Sequence, residues 1–115
     1  MNPDTWPIGD VALGATTSWE EFTATNDGNV TEDFTINGED GDGGWTIQSA
    51  ADVDAFVVQV DSPPITLSFS DQTLADNVAP SGDKIFSLRY HSPTSDTWSA
   101  DTDQDFHITI KASKH

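Results

Sequence analysis

The sequence contains no cysteine, only four Lys and Arg residues together, and no apolar run that approaches the length of a membrane span. Without cysteine there are neither disulfides nor thiolate chemistry, although surface domains without cysteine are common and export stays open. The scarcity of bases stands against 20 acids, for a formal net charge of -16. Self-repulsion of that size disfavours nucleic acid or an anionic membrane as a partner. A membrane helix needs at least ~18 consecutive apolar residues, so no membrane insertion is expected. The opening MNPDTWPIGD also lacks the basic and apolar regions of a signal peptide. An exported chain would therefore have lost its signal or be a segment of something longer.

What is present points to a β protein. A chain of 115 residues is one domain of ordinary size. Its apolar content is low, but four Trp and six Phe can carry a small core because each buries a large area. Sixteen of the acids are Asp, the turn-forming acid. Such a surface fits salt adaptation and an ordinary acidic extracellular protein equally.

The densest turn signal is Asn26-Asp27-Gly28-Asn29, between two alternating runs. In the first, Phe22 and Ala24 share a face opposite Glu21, Thr23 and Thr25. In the second, Val30, Phe34 and Ile36 oppose Thr31, Asp33 and Thr35. This period-two pattern predicts strands over about 17–25 and 30–36. A tight turn at Asp27-Gly28 would set Phe22 against Asp33 and mismatch the apolar faces. The chain is therefore expected to arch from one sheet to another here.

Further strands are predicted over 6–13 (a weak edge), around Trp45 and Ile47, and over 55–60, 65–70, 84–91 and 105–112. Residues 71–83 read as turn-rich, with Leu74 and Val78 as inward anchors. About eight short strands, several of them with one apolar and one Thr/Ser face, and no convincing helix predict an all-β, two-sheet antiparallel sandwich forming one domain.

Three stretches, IGDVALGATTSWEEFTATNDGNVTEDFTI, NVAPSGDKIFSLRYHSP and DFHITIKA, resemble immunoglobulin-like domains of bacterial and archaeal surface proteins, of the hydin-like and choice-of-anchor type. The resemblance covers about half the chain. It implies an immunoglobulin-like sandwich of seven to nine strands and a non-catalytic module of an exported protein. It carries over no functional residues. The GEDGDGG loop and the ITLSFSDQTLAD segment depart from the pattern by lengthening the middle of the chain.

Two acidic loops have the composition to bind Ca²⁺, a hard cation that takes several oxygens. One is Asp101, Asp103 and Asp105, alternate carboxylates that resemble the start of an EF-hand loop. Phe106 stands where an EF-hand needs glycine and Ala112 where it needs the bidentate glutamate, so only a looser site is expected. The other is Glu39, Asp40 and Asp42 among glycines, which let carbonyls and carboxylates bend toward one ion. The alternative for both is a solvated acidic turn. Trp19 and Trp98 are candidates for stacking on carbohydrate, while Trp45 is assigned to the core.

Catalysis has little support. The three histidines show no metal-ligand spacing, and there is neither a G-x-S-x-G elbow nor a phosphate-cradling loop. The expected function is a non-catalytic structural or adhesive module, secreted or at the cell surface. Its partners would be neighbouring domains or further copies joined through exposed edge strands. A Ca²⁺- or carbohydrate-binding module is the alternative.

Overall fold

The computed structural model describes residues 5, 6, 8, 11–41, 44–97 and 106–115. Among them are eight strands and no helix. In chain order they are β1 (Glu20–Thr25), β2 (Glu32–Gly38), β3 (Thr46–Ile47), β4 (Ala55–Val60), β5 (Ile65–Thr66), β6 (Gln72–Val78), β7 (Asp83–His91) and β8 (Ile108–Lys114). They form a two-sheet sandwich. One sheet runs β1-β7-β4-β3, with β5 also paired to β4, and the other runs β6-β2-β8. All pairings are antiparallel except the short β3–β4 ladder. An immunoglobulin sandwich sets its first strand beside the second and its last beside the penultimate. Here β1 lies beside β7 and β8 beside β2.

β1 and β2 belong to different sheets, so residues 26–31 form the arch that matching their apolar faces predicts. Asn26 clamps it. Its buried amide donates to the carbonyls of Val30 (2.8 Å) and Val78 (2.9 Å), and its Oδ1 accepts from the Gly28 N–H (3.0 Å). Phe22, Ala24, Phe34 and Ile36 enter the core as their alternation requires, but Val30 is 43% exposed. Val30 sits in the arch before β2 begins, where the strand period no longer decides which way a side chain points.

The core lies between the sheets. Phe22 stacks on Phe86 with ring centroids 6.0 Å apart, and Phe56 lies 4.8 Å from Phe106. Trp6 packs edge-on against both Phe22 and Phe106, while Tyr90 stacks on Phe106 and lies tilted against Phe56. Burying a ring such as Phe22 stabilises the fold by about 2–3 kcal/mol relative to leaving it exposed. Trp6, Ile8 and Val11 pack against this core, yet the described residues of 6–13 form no strand. In the described residues of that segment, apolar packing by Trp6, Ile8 and Val11 stands in place of the predicted strand pairing.

Two further departures have separate physical causes. Alternation over 65–70 predicts one strand, but only Ile65–Thr66 pair as a strand. The Leu67 N–H still bonds to Val58 of β4, whereas the next carbonyl, Ser68, accepts from Gly38 of β2. The chain therefore passes between sheets at this point, and Phe69 is left 62% exposed. Residues 72–78, which read as turns, are strand β6. Its pairing with β2 is irregular at Phe34, and Asn77 takes a positive φ of 61°. A bulge of this kind breaks the period on which strand recognition depends. Leu74 and Val78 are inward anchors, as expected.

Candidate functional site

Asp42, Trp98, Asp101, Asp103 and Asp105 lie outside the described residues. Of the glycine-loop acids, Asp40 caps its own loop. Its Oδ1 accepts the Ile47 N–H at 2.9 Å, just where β3 starts, and the Gly41 N–H bonds to the Trp45 carbonyl. Glu39 points elsewhere, 3.9 Å from His107 Nδ1, with both side chains more than half exposed. The described residues bring no three carboxylate or imidazole groups together as metal ligands.

Other acids are also engaged by their own fold. Asp54 accepts bonds from the Thr97 hydroxyl and backbone N–H, which hold its carboxyl below the usual range. Together with the Val53–Ser95 bridge and a bond from Trp45 Nε1 to Asp96 (3.1 Å), this zips residues 45–54 to residues 94–97. Asp71 accepts from Asn37 (2.6 Å) and Lys111 (3.1 Å), and both contacts lower its pKa. Asp33 accepts the Asn77 N–H and pairs with His115, which lowers its pKa as well. A carboxylate bonded this way favours its charged form.

The arrangement richest in polar chemistry lies on the outer face of the larger sheet. Trp19, directly before β1, is 41% exposed, and the Arg89 guanidinium lies 4.4 Å above its ring centre. Arg89 Nη2 donates to Gln59 Oε1 at 2.7 Å, and the same oxygen is 2.9 Å from His91 Nε2. His91 Nδ1 is 2.7 Å from the Thr16 hydroxyl. A neutral imidazole protonated on Nε2 satisfies the whole row, donating to Gln59 and accepting from Thr16. Burial and the neighbouring Arg89 charge both lower the His91 pKa.

Arg89 is the chain's one arginine, and no described carboxylate forms an ion pair with it. Gln59 and Trp19 hold it instead. The strip therefore offers an aromatic ring, a cation and amide and hydroxyl groups along one flat face, though the guanidinium already covers one face of the indole.

Of the residues expected to act, only Trp19 belongs to this strip. Alternation along β7 places Arg89 and His91 on one face and could have joined them. Gln59 and Thr16 come from other segments, and only register brings them alongside. No family model matches the chain, and no curated protein matches it.

Proposed function

We propose that this chain is a non-catalytic structural or adhesive module of a secreted or cell-surface protein, a sandwich that associates with further copies or neighbouring domains through its edge strands. The observation that carries the reading is that β1 and β8 each end one of the two sheets, with ladders to β7 and to β2 alone among the described residues. Unpaired backbone groups along such edges are a template for another strand. The engagement of Asp33, Asp40, Asp54 and Asp71 in the protein's own loops and strands supports it further, because these acids act as fasteners. In this reading the chain works as a rigid acidic spacer related to the immunoglobulin-like surface modules it resembles. Sedimentation across a concentration series tests it: self-association is expected, and a monomer at every concentration would count against assembly.

A ligand-binding module is the second reading, favoured by the Trp19–Arg89–Gln59–His91 strip, which has the stacking and hydrogen-bonding groups that carbohydrate recognition uses. Titrating a glycan panel against tryptophan fluorescence tests it, and Trp19→Ala should abolish any response. For the Ca²⁺ version, millimolar Ca²⁺ should raise the melting temperature and EDTA should reverse the rise.

A further inference from the structure

Residues 106–115 (FHITIKASKH) hold two of the four Lys and Arg residues, two of the three histidines and none of the 20 acids. The preceding residues carry all the acidity against Lys84 and Arg89 alone. This one basic stretch is an edge. Among the described residues the backbone ladder of β8 is with β2 alone, and from Lys111 onward it is exposed. Lys111 is tied to Asp71 and His115 to Asp33, but Lys114 has no described carboxylate partner.

The opposite character belongs to β1, an edge of the other sheet. Its described ladder is with β7 alone, and it opens with Glu20 and Glu21, both exposed and neither in an ion pair with a described residue.

Charged residues on an edge strand ordinarily prevent pairing, because two copies of the same edge would set like charges against each other. That holds here for β8 against β8, whereas an antiparallel β1 pair sets Glu20 and Glu21 against Thr25 and Ala24 and gains no charge attraction. It does not hold for β8 against β1, where Lys114 and its neighbours meet Glu20 and Glu21.

We infer that the partner of β8 is the β1 edge of a second copy of this chain. The inference rests on the self-assembling reading above and specifies its interface. The contact is heterologous, so each addition leaves one β1 and one β8 free and assembly continues as an open chain. Because the charges are exposed, added salt weakens it.

The test is sedimentation of the full chain at low and high NaCl, alongside Lys114→Glu, Glu20→Lys/Glu21→Lys and the variant combining all three. Circular dichroism checks that each is folded. Wild type is expected to associate at low salt and less so at high salt. Each edge reversal should weaken association roughly tenfold, the combined effect of a few cross-strand charge pairs, and the combined variant should recover it. Association that no charge reversal or salt alters would overturn the β8–β1 assignment and leave self-assembly standing. A wild-type monomer at every concentration in low salt would overturn both.

Discussion

Asn26 is a polar side chain at 1% exposure whose amide serves three backbone groups on the arch and on β6. Asn26→Ala would strand these groups, at least one of them fully buried, at about 1–3 kcal/mol for each buried group left unmet. We expect a loss of roughly 2–4 kcal/mol by chemical denaturation; a loss below about 1 kcal/mol would show that water replaces the amide. His91 gives a second test. Its folded pKa is lowered, so the unfolded chain takes up the proton first and stability falls as pH drops below the ordinary histidine range. Its ring resonances should titrate below that range by NMR, and Arg89→Gln should move the midpoint upward by removing the adjacent charge. Asn26 was legible in the sequence as a turn residue, but its three bonds were not, because Val78 lies 52 residues away. Trp19 was legible as an exposed aromatic, whereas the guanidinium on its ring depends on the β1–β7 register.

Among the elements, β4 and β7 were readable from their apolar residues, whereas the regular alternation of 65–70 misled because the chain leaves its sheet after Thr66. β4 runs over Ala55–Val60 as its apolar residues predict, and β7 buries Phe86, Leu88 and Tyr90 on one face. β6 was hidden by Asp76-Asn77, which resembles a turn and is a bulge held by the Asp33 carboxylate. The zipper between residues 45–54 and 94–97 depends similarly on Asp54. Its carboxyl is lowered by bonds from Thr97, so its contribution is present above the unfolded carboxylate range and is lost as pH falls through the folded pKa. Asp54→Asn should therefore destabilise the protein at neutral pH, with the difference from wild type shrinking in acid. Thermal melts of both proteins over a pH series check this, and a gap that stays constant with pH would refute it.

At the scale of the whole molecule, a net charge of -16 strains the folded state by self-repulsion. Raising salt from low levels toward ~1 M, where the Debye length falls to about 3 Å, should raise the melting temperature of the monomer. The same salt should weaken the β8–β1 contact, so stability and association are expected to move in opposite directions. Differential scanning calorimetry and sedimentation on one salt series would reveal a common direction if either electrostatic account is wrong. The sequence alone determined the β class, the alternation that selects the core side chains, the arch between β1 and β2, and a basic tail on an acidic chain. These follow from local period and composition. The tertiary structure decided which strands are neighbours, that β8 ends its sheet among the described residues, and which groups surround Arg89. Those depend on register between strands far apart in the chain, and hydrogen-bond ladders set that register only once two sheets close on one core.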